Sequence, residues 1–298
     1  MHETQPTIAF KVDVDTFTGT RDGIPNLLKI FQQFDIRATF YFSLGPDNSG
    51  KAIRRIFRKG FLKKMLRTRA PSMYGLRTML SGTLLPAPII GKNLPDIIRS
   101  VKEAGHEVGI HCWDHVKWHD YLPRLQKQST ARELSLASAL FEKIFGFHAQ
   151  TTAAPGWTVS ADSLELQDNM LLSYCSDSRG TCPFLPTMNG KIFSTLQIPT
   201  TWPTMDELLG EHFITLDTIN NYYLELLKPG LNVHTIHAEL EGNALRPIFV
   251  ELLHRLTERN VRFMTLAEAA AEFGTDAPPC DLKMQYIDGR AMPVATQC

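Results

Sequence analysis

The chain has 298 residues, 43% of them hydrophobic and 21% charged, the proportions of a folded globular protein rather than a disordered or membrane-spanning one. Its 31 basic and 31 acidic residues cancel, so net charge predicts no polyanionic partner and only the local distribution of charge can act. Five cysteines (Cys112, Cys175, Cys182, Cys280 and Cys298), odd in number and without a Cys-x-x-Cys pair, argue against a disulfide framework.

The first residues, Met1 to Pro6, carry no basic-then-apolar leader, and no apolar run approaches the roughly 20 residues that span a bilayer. A cytoplasmic protein with reduced thiols is expected. Residues 7–14, rich in β-branched and aromatic side chains, predict a buried strand. Ile24, Leu27, Leu28, Ile30 and Phe31 fall at helical spacing, and 38–44 predict a second strand. A helix follows over 96–104, a third strand over 107–113, and a long helix over 128–145 that stops at Gly146. Strands are then predicted near 150–154, 171–176, 195–200, 231–238 and 261–265, with helices near 161–169, 217–227, 246–259 and 266–273. Such alternation predicts an α/β fold, a parallel sheet closed into an irregular (β/α) barrel over residues 1–273. Residues 274–298, with Pro278-Pro279 and little periodicity, are expected to be a surface extension or poorly ordered.

One insertion, about 46–95, interrupts the alternation. Between Asp47 and Asp96 there are eleven basic residues and no acidic one. From Lys51 to Leu66 the apolar residues Ile53, Ile56, Phe57, Phe61 and Met65 follow helical spacing, with cations opposite. This pattern suits an interface helix whose Phe57 and Phe61 enter an anionic membrane surface while Arg54, Arg55 and Arg58 meet its headgroups. The alternative is a solvated helix packed on the barrel. No stacking platform for nucleic acid accompanies the charge.

Three clusters carry chemistry. Asp13 and Asp15, two apart where the first strand ends, emerge on one face about 7 Å apart and need a counter-charge. A divalent cation would supply it; capping of the following turn is the plainer reading. His111 and His115, four apart after the third strand, can share one metal, although His119 makes a second pair with His115. Cys112 stands where a zincin helix would need glutamate. His234 and His237 lie on the penultimate strand and point to opposite faces, so one of them faces the site.

In this order, Asp-x-Asp, His-x-x-x-His and a late strand histidine, the clusters resemble the polysaccharide deacetylases, the NodB-homology class or carbohydrate esterase family 4. The stretches from Val12 to Phe17, Phe42 to Asn48, His111 to His115, Ser176 to Gly180 and Thr235 to Gly242 are most similar to its lipid-linked deformylase branch. That likeness implies hydrolysis of formyl from 4-deoxy-4-formamido-L-arabinose on undecaprenyl phosphate, in lipid A modification and polymyxin resistance. It places the chain on the cytoplasmic face of the inner membrane.

The resemblance also implies residue roles. Asp15, His111 and His115 would hold one divalent metal, with zinc, cobalt, nickel and manganese all suited to two imidazoles and a carboxylate. Asp13 would be the general base, His237 the general acid, and an amide near Gly156 or Trp157 an oxyanion donor. Where the family carries Arg-x-Pro-x-Gly, this chain has Ala153-Ala154-Pro155-Gly156-Trp157. The arginine that steadies the base in relatives is missing, and Arg179 is the expected replacement. Asp177 is the expected partner of His237. The competing functions are another polysaccharide N-deacetylase and a non-catalytic glycolipid-binding relative.

Overall fold

The computed structural model describes residues 5–51, 76–209, 211 and 214–298. The insertion residues Arg54, Arg55, Phe57, Arg58 and Phe61 lie outside them. In chain order the elements begin with β1 (Pro6–Val14), α1 (Ile24–Gln33), β2 (Thr39–Ser43), α2 (Leu76–Leu80), α3 (Ile90–Asn93) and α4 (Pro95–Glu103). They continue with β3 (Glu107–Cys112), α5 (His115–Tyr121), α6 (Lys127–Phe145), β4 (Thr151–Thr152), α7 (Ala161–Asn169) and β5 (Tyr174–Cys175). The last part holds β6 (Leu185–Met188), β7 (Lys191–Ile192), α8 (Met205–Leu208), α9 (Ile219–Leu226) and β8 (Gly230–His237). It ends with α10 (Arg246–Glu258), β9 (Arg262–Met264), α11 (Leu266–Phe273), β10 (Pro279–Gln285) and β11 (Val294–Gln297).

The main sheet is parallel, in the order β5-β4-β3-β2-β1-β8, and β9 pairs with the start of β1. Alternation along β1 divides its side chains. Phe10, Val12 and Val14 join Phe31, Phe40 and Phe249 in the main core beneath the helices, while Ala9 joins Tyr41, Tyr174 and Val233 on the concave side. Between β5 and β8 the curl is bridged by irregular backbone. The amide of Ile198 donates to Cys175 O at 2.8 Å, and that of Thr201 to Val233 O at 3.0 Å. This segment, expected as a strand over 195–200, pairs on both sides without regular ladder geometry.

Of the two C-terminal expectations, poor order is overturned. Residues 279–285 and 294–297 form β10 and β11, which with β6 and β7 make a second sheet in the order β11-β10-β6-β7. Leu282, Val294 and Ala295 are buried there, and Leu282 and Ala295 pack with Phe184 and Phe193. In β10 Cys280, Leu282 and Met284 alternate with Asp281, Lys283 and Gln285, the two-residue period of a half-buried strand.

Candidate active site

The site gathers at the carboxyl ends of the parallel strands, where the chain leaves the sheet and side chains point into the open mouth. Asp13 lies on β1, Asp15 just beyond it, His111 on β3, and His115 at the first position of α5. Asp114 caps α5, its Oδ1 accepting from the Lys117 amide at 3.0 Å and its Oδ2 from Asn48 Nδ2 at 2.6 Å. Asp47 accepts from the Phe17 amide at 3.0 Å. The Asp47-Asn48 pair therefore ties the turn after β2 to the two loops that carry Asp15 and His115.

His111 Nε2 lies 3.2 Å from Asp15 Oδ1, and His115 Nε2 lies 3.3 Å from Asp15 Oδ2. Among the described residues these three bring one ligand atom each within 4.8 Å of one another. Asp15 Oδ1 is buried without a hydrogen-bond partner. Burial opposes charge on Asp15, yet His115 and His111 hold its carboxyl well below the usual carboxylate range. Burial likewise opposes protonation of His111, and Asp13 and Asp15 outweigh it, raising the imidazole above its ordinary value. Two imidazole nitrogens turned on a charged, under-satisfied carboxylate fit a divalent cation of the zinc, cobalt, nickel or manganese type.

A third carboxylate sets this arrangement. Glu239 Oε1 accepts from the amides of Asp15 and Thr16 at 2.7 and 2.6 Å and from Thr16 Oγ1 at 2.9 Å. A methyl group at Gly19 would come within 2.3 Å of that oxygen, so glycine there makes room for it. Burial first, then the neighbouring Asp15, pushes Glu239 well above the ordinary value.

Asp13 and His237 are register partners across β1 and β8, hence neighbours on the same face. Asp13 Oδ2 accepts from Lys11 Nζ at 2.9 Å; Asp13 Oδ1 has no hydrogen bond and lies 4.0 Å from His111 Nδ1. Lys11 is completely buried. The His237 amide donates to Glu241 Oε2 at 2.8 Å. His234 points the other way, into Phe10, Trp202 and Tyr223, where burial pulls its imidazole down to about 3. Gly156, at φ +58, packs so closely on His119 that a β-carbon would lie 2.0 Å from its ring, and His119 stacks on His115.

Residues 3–174 match the family model described as polysaccharide deacetylase. The chain belongs to the polysaccharide deacetylase family. It is 40% identical over 284 residues, 95% of its length and 92% of the relative's, to a Shewanella sediminis protein named "Probable 4-deoxy-4-formamido-L-arabinose-phosphoundecaprenol deformylase ArnD". A Wigglesworthia glossinidia brevipalpis protein of the same name is 33% identical over 282 residues, 94% of this chain and 98% of that one. A crystal structure from Mycobacterium smegmatis, titled as a polysaccharide deacetylase, matches 96% of both chains with TM-score 0.66 at 17% identity. Peptidoglycan deacetylase PdaC of Bacillus subtilis matches 91% of this chain and 93% of its own with TM-score 0.53 at 15% identity. These structural likenesses extend the fold assignment over nearly the whole chain.

Within this family fold, two sequence expectations are corrected and a third is narrowed. Arg179 does not reach Asp13: its guanidinium bonds both oxygens of Glu207, at 3.0 and 2.8 Å, and the Trp202 carbonyl at 2.9 Å. The cation beside Asp13 is Lys11, two residues earlier on the same strand face. Asp177 does not orient His237: its Oδ2 is bound by Gln167 and Gln197 at 2.9 and 3.1 Å, and His237 Nδ1 is buried with no hydrogen-bond partner among the described residues. The Trp157 amide donates to Ala154 O at 3.1 Å, which leaves the Gly156 amide as the oxyanion-donor candidate of the two. A lysine inside an otherwise apolar strand, two residues from an aspartate, was the signal for Lys11.

Proposed function

We propose that this chain is a metal-dependent deformylase that hydrolyses 4-deoxy-4-formamido-L-arabinose-phosphoundecaprenol to the 4-amino sugar lipid and formate. The register pairing of Asp13 with His237, beside the Asp15, His111 and His115 cluster, carries the chemical part of this reading. The 40% identity over 95% of the chain to a protein named for that reaction supports the substrate.

A divalent ion bound by Asp15, His111 and His115 would supply the Lewis acidity that polarises the formyl carbonyl and makes water nucleophilic near neutral pH. Asp13, through the Oδ1 that Lys11 leaves free, takes the proton from the attacking water. The Gly156 amide would donate to the oxygen that gains charge. His237 gives a proton to the sugar nitrogen as the C–N bond breaks. One water is consumed, and one formate and one amine leave.

The basic insertion supports a membrane-anchored substrate. Arg54, Arg55, Phe57, Arg58 and Phe61 would contact the anionic cytoplasmic face of the inner membrane, and Leu84, 81% exposed beyond the insertion's basic part, would add an apolar contact. No helix among the described residues is long and apolar enough to cross a membrane, which fits a peripheral attachment.

The experiment offers the protein the formamido-arabinose lipid, its N-acetyl counterpart and an acetylated polysaccharide. The deformylase reading expects formate from the first and at least 100-fold less acetate from the others. Faster acetate release would replace it with the N-deacetylase alternative, and no release from any substrate would favour a glycolipid-binding relative.

A further inference from the structure

The buried Lys11 ammonium bonds the Asp13 carboxylate and also faces two aromatic rings. Nζ lies 5.1 Å from the centre of the Trp157 ring and 5.9 Å from that of Tyr41. Trp157 is 2% exposed and holds φ +50, a left-handed conformation that a bulky residue adopts only when its surroundings impose it. Part of that constraint is the hydrogen bond from its Nε1 to Thr200 Oγ1 at 3.2 Å, the hydroxyl itself 2.7 Å from Thr235 Oγ1.

The remainder comes from the end of the chain. The Arg290 guanidinium sits 4.4 Å from the Trp157 ring centre, and that of Arg179 sits 4.9 Å away. Both are anchored on the buried Glu207, Arg290 through Nε at 2.5 Å. The backbone of Arg179 is fixed from the same direction, its amide donating to Ala295 O at 2.8 Å and its carbonyl accepting from the Gln297 amide at 2.8 Å. Cation–π contact is strongest where water is excluded, and this indole is buried among three cations.

We propose that the C-terminal segment 279–297 is a positioning element of the catalytic site, with Arg290 holding Trp157 over the Lys11–Asp13 pair. The route from Arg290 to Asp13 runs through the Trp157 indole, on which both the guanidinium and the Lys11 ammonium lie. Arg290 acts by keeping the indole seated, so that the Lys11 ammonium stays on Asp13 Oδ2 and Oδ1 keeps its aim. The adjoining Gly156 amide is held by the same turn. A chain end that looks dispensable in the sequence thus takes part in setting the general base.

The kinetic arm of the test rests on the deformylase reading; a second arm does not. Arg290→Ala, Arg290→Gln and Arg290→Lys are compared as full-length, metal-loaded protein. Glutamine keeps an N–H donor for Glu207 without a cation for the indole; lysine keeps the cation. Formate release is expected to show about a tenfold loss of kcat in the alanine and glutamine variants, KM within twofold, full metal content, and at least half of kcat restored by lysine. Hydrogen–deuterium exchange, which needs no turnover, is expected to rise over residues 153–158 in the alanine and glutamine variants and not in the lysine one. Wild-type kcat in Arg290→Gln, or unchanged exchange over 153–158, would overturn the proposal even if Arg290→Ala fails to fold. A wild-type protein that releases no formate would count against the deformylase reading, and the exchange result would still decide the role of Arg290.

Discussion

Asp13 and His237 stand side by side on adjacent parallel strands, locked by the Ala238 amide donating to the Asp13 carbonyl at 3.0 Å. Because register partners point to one face, a carboxylate and an imidazole from positions more than two hundred residues apart flank the same volume.

In the proposed mechanism, that relationship separates proton transfer from metal binding. Asp13→Asn and His237→Ala are each expected to lower kcat by 100-fold or more, the scale of a lost general base or acid. Both should keep stoichiometric metal in elemental analysis, since neither residue belongs to the Asp15, His111 and His115 group. Loss of the metal together with activity would give Asp13 a ligand's role instead.

Lys11 and Asp13 form a buried ion pair, and removing one member strips the other of its bonded counter-charge. Lys11→Met is expected to lose about 3–5 kcal/mol in denaturant unfolding. Lys11→Arg, which keeps the charge, should lose markedly less. Equal loss in both would mean that packing volume, not charge, dominates.

Gly156→Ala places a methyl group 2.0 Å from the His119 ring, at a φ of +58. The left-handed backbone alone costs about 1–2 kcal/mol for a non-glycine residue. His119 must also shift, and it stacks on His115. Weaker metal affinity in calorimetry is therefore expected along with a lower Tm, whereas unchanged metal affinity would disconnect the turn from the ligand set.

Glu241 carries the clearest pH signature. Burial raises its carboxyl to about 8, although the backbone of His237 donates to it. Below about 4.5 both folded and unfolded forms are protonated and the residue is neutral to stability. From there to about pH 8 the unfolded chain gives up a proton that the folded one retains, so stability falls as pH rises. Glu241→Gln, able to accept the same bond, should flatten this decline between pH 5 and 8. An equally steep decline in the variant would place the titration elsewhere.

Local signals made most of this fold legible. The helix expected over 266–273 is α11 (Leu266–Phe273) to the residue, because the Thr265 cap and the apolar spacing agree. Alternation in β1 correctly put Asp13 on the face opposite Val12 and Val14. The period-two pattern of β10 was equally readable, but the neighbouring prolines outweighed it in the sequence reading. Arg179 could not have been assigned from sequence, since its partners Glu207, Trp157 and the β11 backbone meet it only through tertiary folding. Glu239 and Glu241 were visible within the late motif, yet their work is to accept backbone amides, which no residue pattern announces.

The central claim is that Asp15, His111 and His115 converge on one catalytic cation. Its most direct test is formate release by chelator-stripped protein, titrated with zinc, cobalt, nickel or manganese and run beside His111→Ala. The account predicts no turnover when stripped, recovery that saturates at one ion per chain, and no recovery in the variant. Full turnover by the stripped protein would contradict it.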